Sequence, residues 1–255
     1  MKRKILFLVF ATFTLFSAVS FANKTIVCPG MYANHLQGIT MYDGKIYWSY
    51  TTKIICTDMQ GKIVNLVDAP NHQGDLCVAD GKIYVATNHK KFNKLNEAEN
   101  FVYVYDSNLN FIEKIKIDEM LCGLGGMEYY NGSFYLVGGG DPKEPTFRIG
   151  KYSKDFKLEK MYYIPVGKSQ KGVQTICFGY GKFWLGVYQP KGANEGLWEM
   201  DTDFNIVKKH NLGGSVGIVA TNKNDREFII ARAIYTKQNA FAKCTANAKI
   251  VKVQK

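Results

Sequence analysis

Two short hairpin signatures alternate along the chain, and their spacing limits what it can fold into more than any other feature. The first runs Gln37-Gly-Ile-Thr-Met-Tyr-Asp-Gly-Lys-Ile-Tyr47. It returns over 73–84, 125–135 and 174–184, with a degenerate fifth copy from Gly217 to about Ile230. Asp-Gly or Asn-Gly between apolar runs marks a two-residue hairpin, because a type I′ turn needs positive φ at both central positions. The second signature reads Asp58-Met-Gln-Gly-Lys-Ile63, then Asp106-Ser-Asn-Leu-Asn-Phe111, Ser153-Lys-Asp-Phe-Lys-Leu158 and Asp201-Thr-Asp-Phe-Asn-Ile206, with openings 48, 47 and 48 residues apart. Asp or Ser opens such a turn by accepting backbone amides two residues on.

Two hairpins per period make four antiparallel strands, A to D, and a four-stranded unit repeated at this length is a propeller blade. In the first blade the strands fall at about 37–43, 45–51, 53–58 and 62–67. The ends fix the count. Lys24-Thr-Ile-Val27 resembles strand D (Lys62-Ile-Val-Asn65), whereas the last copy stops at 249–255 in a strand C. An all-β, five-bladed propeller is expected, closed by pairing of the N-terminal strand with the C-terminal blade, which removes the sheet edges. An open β-sandwich explains neither the doubled repeat nor the complementary ends.

The chain opens on Lys2-Arg3-Lys4, an apolar run over 5–16 and small residues at Ser20 and Ala22. This is the pattern of a secretory signal peptide, 1–22, leaving 23–255 as the propeller domain. The run is too short for a membrane span. A secreted or periplasmic location follows as an expectation. All six cysteines (28, 56, 77, 122, 177 and 244) lie in the exported part, where disulfides are permitted. Six cysteines allow fifteen pairings, and no spacing suits zinc. Ring closure brings Cys28 and Cys244 into one blade and favours a bridge there. Cys77 and Cys177, at matching strand positions, read as buried small hydrophobes.

Lys and Arg number 33 against 22 Asp and Glu, for a net charge of +11, but the basic residues are scattered. That excludes a nucleic-acid stripe and leaves a basic surface with some affinity for anionic surfaces or acidic glycans. A monomer is expected.

Length varies mainly in the B–C loops, which share one face of the ring with the D–A loops, and insertions gathered on one face build binding surfaces in repeat folds. Candidate binding residues there are His35, Gln37, His72, Gln73, Asp75, Glu128, Gln174, Tyr188 and Arg232. The glycines beside them read as room for inner strands near a crowded axis.

Gly38-Ile39 followed by Asp43-Gly44-Lys45-Ile46-Tyr47, with the Asp-x-x-Gly/Leu/Phe turn, resembles the exported propellers with NHL- and YVTN-type repeats and the gluconolactonase-like proteins. The resemblance covers nearly all of 23–255 and implies the fold. It does not carry the chemistry over. Gluconolactonase-like enzymes hold a divalent metal with a Glu in a Glu-Gly-Pro context, where this chain has Gln37-Gly38-Ile39. The glutamine cyclotransferase motifs are absent, and five-bladed glycosidases need three acids at the axis, where only Asp75 and Glu128 stand. The expectation is a binding protein for a small molecule, a glycan or a protein, without a cofactor. The alternative is a hydrolase or lactonase using Asp75, Glu128, His35 and His72, with or without a divalent cation.

Overall fold

The computed structural model describes residues 25–141, 146–165, 172–188, 196–223, 226–238 and 241–254, so the expected export segment lies outside the described residues. The described residues form twenty strands. In chain order these are β1 (Thr25–Ala33), β2 (Leu36–Tyr42), β3 (Lys45–Tyr50), β4 (Lys53–Asp58), β5 (Ile63–Asp68), β6 (Gln73–Ala79), β7 (Lys82–Asn88), β8 (Asn100–Tyr105), β9 (Phe111–Ile117) and β10 (Leu124–Tyr130). They continue with β11 (Ser133–Gly138), β12 (Thr146–Tyr152), β13 (Leu158–Pro165), β14 (Val173–Gly179), β15 (Lys182–Val187), β16 (Leu197–Met200), β17 (Ile206–His210), β18 (Ile218–Ala220), β19 (Glu227–Gln238) and β20 (Phe241–Lys252).

Four sheets run in sequence order, β2–β5, β6–β9, β10–β13 and β14–β17. The fifth has the order β1-β20-β19-β18. Its outer strand therefore comes from the other end of the chain, with Thr25 opposite Lys249 and Val27 opposite Asn247. The five blades and the closing strand are those the repeat predicts.

The hairpins carry the expected backbone. Asp43-Gly44, Asp80-Gly81, Asn131-Gly132 and Tyr180-Gly181 all have positive φ at both positions. In the C–D turns, Asp58, Asp106 and Asp201 each accept two backbone amides at Oδ1, at 2.8–2.9 Å. Ser153 accepts one, from Lys157. The fourth turn residue is left-handed in every copy: Gly61, Leu109, Phe156 and Phe204. Leu109 and Phe204 bear that strain because their side chains are buried between blades.

The core lies between blades. In the first blade Trp48 and Ile55 pack with Ile229 and Ala231 of the fifth, while Tyr47 and Ile54 pack with Leu76 and Val85 of the second. Alternate residues of one strand thus enter two different cores, so middle strands are apolar on both faces. Each such side chain removed from water contributes about 1.5–3 kcal/mol. The indole N–H of Trp48 donates to Thr57 Oγ1 at 3.0 Å, which removes the cost of burying it.

The bridge expected between Cys28 and Cys244 is not formed. All six cysteines are free and buried. Cys28 and Cys244 share the fifth blade and one core, but they are not directly opposite in the register, where Cys28 faces Ala246 and Cys244 faces Tyr32, and no bond joins them. Cys77 and Cys177 are buried, as expected of small hydrophobes.

Candidate functional site

The ring has a loop face, where the B–C and D–A connections lie, and a turn face, where the A–B and C–D turns lie. The inner strands β2, β6, β10, β14 and β18 line the axis between them. The nine candidate residues do not form one cluster.

On the loop face, the entries of β2 and β6 bring His35, Gln37 and His72 together. The Gln37 amide nitrogen lies 3.0 Å from His72 Nε2, and the rings of His35 and His72 are 6.3 Å apart. Burial, and then the neighbouring His35, lower the His72 pKa. The neutral ring is favoured, and its Nε2 then accepts the Gln37 N–H. His35 also meets the edge of Tyr235 at 6.1 Å. Burial, followed by the nearby Tyr188, pushes the Tyr235 hydroxyl up to about 12, and burial likewise raises Tyr188.

Tyr188, Arg232 and Tyr235 belong to a groove of about 560 Å³ between the fourth and fifth blades. Glycines 213 and 214 floor it, and Asn247 and Lys249 reach in from β20. The groove forms because β19 and β20 are twelve residues long and outrun the shorter strands of the fourth blade. No acid lines it among the described residues, and Arg232 and Lys249 supply positive charge.

Of the remaining candidates, Gln73 and Gln174 are buried at the entries of β6 and β14, and Asp75 and Glu128 lie further along the axis. Gln73 is fully buried and turns back, donating its amide N–H to the Pro70 carbonyl. Gln174, also buried, holds in β14 the place that Gln37 holds in β2, with its carbonyl against Gly126. Asp75 points into the axis. Its Oδ2 accepts the Ile176 amide at 3.3 Å, its Oδ1 has no hydrogen-bond partner, and burial raises its pKa well above the carboxylate range. A Cβ at Gly38 would lie 2.0 Å from that Oδ1, so Gly38 is the space that Asp75 occupies. Glu128 opens instead to the turn face. The histidines, Asp75 and Glu128 are spread along the axis rather than converging, and the described residues contain no group of three His, Cys, Asp or Glu side chains placed to hold a metal.

Two features escape the sequence reading. Phe92, in the long loop after β7, packs on Gly123 and Gly125, so these glycines admit a loop side chain as well as the axis. Glu199, buried in β16, accepts from Arg226 at 2.5 Å and lies 3.0 Å from His210 Nε2, with the guanidinium over Trp184. The only trace of this network in the sequence is an acid between Trp198 and Met200, both core residues.

No protein-family profile matches the chain, and no curated protein matches it. Solved structures do. A Bacteroides thetaiotaomicron protein of unknown function matches at 10% identity with a TM-score of 0.53, covering 90% of this chain and 73% of the other. The Neurospora crassa Pan2 WD40 domain matches at 8% identity with a TM-score of 0.47, covering 92% and 98%. Sqt1 of Saccharomyces cerevisiae matches at 9% identity with a TM-score of 0.41, covering 87% and 60%. At this identity the first likeness shows the propeller fold alone, and the other two add nothing to it.

Proposed function

We propose that the protein is an exported, non-catalytic propeller that binds an anionic, hydroxyl-rich ligand, an acidic glycan above all, on its loop face. The observation that carries this is the groove between the fourth and fifth blades, where Arg232 and Lys249 stand beside Tyr188 and Tyr235 and no acid lines it among the described residues. A guanidinium pairs with a carboxylate or sulfate in a bidentate way, and a tyrosine ring offers a flat apolar surface to a sugar. Gln37 and the neutral His72 extend the same face with groups that hydrogen-bond hydroxyls. The net positive charge raises the encounter rate with an anion. Export is supported by the charged-then-apolar start of the chain and by its small residues at 20 and 22.

Calorimetry with tetragalacturonate, and with maltotetraose as the neutral control, tests the reading. Saturable binding of the acidic sugar is expected, weakened about tenfold by Arg232→Ala, which is about 1.4 kcal/mol, and weakened again by added salt. Recovery of the sugar uncleaved separates binding from hydrolysis. Equal affinity for the neutral sugar, or an Arg232→Ala variant that binds unchanged, overturns it.

A further inference from the structure

The axis has a second mouth, on the turn face, and its chemistry is opposite to that of the groove. It encloses about 490 Å³ and is lined from all five blades, including Thr40, Glu128, Phe178, Tyr180 and Val219. Cavities of this size take small organic groups. One carboxylate faces into it. Glu128 Oε1 accepts the Tyr129 amide at 2.7 Å, and Oε2 accepts the Phe178 amide at 3.0 Å. These bonds fix the carboxylate while leaving each oxygen a further lone pair. No Lys, Arg or His is paired with it among the described residues, although the chain carries a large excess of cations. The wall around it is mixed: Phe178, Tyr180 and Val219 suit the stem that carries a cation, and Thr40, Thr221 and Asn222 offer neutral oxygens beside the carboxylate. On the other face the loop after β7 lays Phe92 against Gly123 and Gly125, so the turn-face mouth is where this carboxylate meets solvent.

We propose that this mouth binds an alkyl guanidinium or ammonium group, its cation paired with Glu128 and its stem held against Phe178, Tyr180 and Val219. The Thr40 hydroxyl accepts one of the remaining N–H groups. Among the described residues Glu128 is the only charged group that lines the mouth, beside apolar side chains that fit an alkyl stem, and a bare metal ion would need more anionic oxygen ligands than this. The site is separate from the loop-face groove and stands whether or not that groove binds a glycan.

Titrating the full chain with n-butylguanidinium, n-butylammonium and the neutral n-butylurea, by calorimetry and by the Glu128 carboxyl ¹³C shift, tests it. At pH 8.5, where Glu128 is ionised, saturable binding of the cations is expected, with the urea at least tenfold weaker. Glu128→Gln weakens the cations at least tenfold. Val219→Trp, which fills the mouth without touching the carboxylate, does the same, and Arg232→Ala on the other face does not. A pentapeptide with a central Arg, against its citrulline counterpart, identifies the source: tighter binding than n-butylguanidinium points to a side chain of a partner protein, and weaker binding points to a free amine. No binding of either cation, equal binding of the urea, or full affinity in both mouth variants overturns the proposal.

Discussion

Burial holds the Glu128 carboxyl at about 7 against an ordinary 4.5, and the two amides it accepts offset only part of that shift. The folded chain therefore binds a proton more tightly here than the unfolded chain does. This contribution to stability is complete below pH 4.5 and is lost as pH rises through about 7, a change on the order of 3 kcal/mol. Asp75, also raised, acts in the same direction. Glu128→Gln should flatten the fall in unfolding free energy between pH 5 and 8, measured by urea titration. A slope as steep as that of the parent chain would show that the proton resides elsewhere. Glu199 makes the opposite case. Its carboxylate is matched by Arg226 and His210, and Glu199→Ala strands a buried cation. A loss of about 3 kcal/mol is expected, with a smaller loss for Glu199→Gln, because breaking one side of a buried pair costs more than the pair is worth. Neither environment is legible in the sequence. Acids at 75, 128 and 199 sit in similar strand patterns, and only the neighbouring blades decide which finds a cation and which finds an aromatic wall.

At the scale of the element, the C–D turn shows how much a short motif can specify. The opening Asp and the small polar residues after it are readable, and Asp106 and Asp201 both have lowered pKa values because each accepts an Asn side chain and then the turn amides. The fourth residue is not readable. A left-handed position suggests glycine, as at Gly61, yet Phe204 takes it with φ 62° and buries its ring among Tyr135, Phe183 and Tyr162. Replacing it with Gly relieves about 1 kcal/mol of backbone strain but forfeits the ring. Phe204→Gly and Phe204→Ala should therefore both destabilise by about 3 kcal/mol or more, read from chemical denaturation. A Gly variant as stable as the parent would show that the ring anchors nothing. The A–B hairpins of the first four blades are legible because type I′ geometry depends on two adjacent residues and little else.

The whole molecule depends on a bond between its ends. β1 covers the edge of β20 and buries Ile26 and Cys28 in the core shared by the first and fifth blades. A chain beginning at residue 35 should melt at a lower temperature and self-associate through the exposed β20 edge, as read by calorimetry and light scattering. An unchanged, monomeric product would refute closure as a source of stability. The blade count, the strand order, the turn chemistry and the origin of the closing strand can all be read from the amino-acid order. These follow from local periodicity and from matching one repeat to the next, and both are properties of neighbours along the chain. The packing of blade on blade is what makes His35, Gln37 and His72 meet, sets Tyr188 and Arg232 along a separate groove, and opens Glu128 to the opposite face. The same packing leaves Cys28 and Cys244 as free thiols in one core and lets the longest hairpin open a groove beside the fourth blade. Those outcomes depend on which residue of one blade lies against which residue of the next. That register is set by packing across the ring, over distances at which the repeat carries no information.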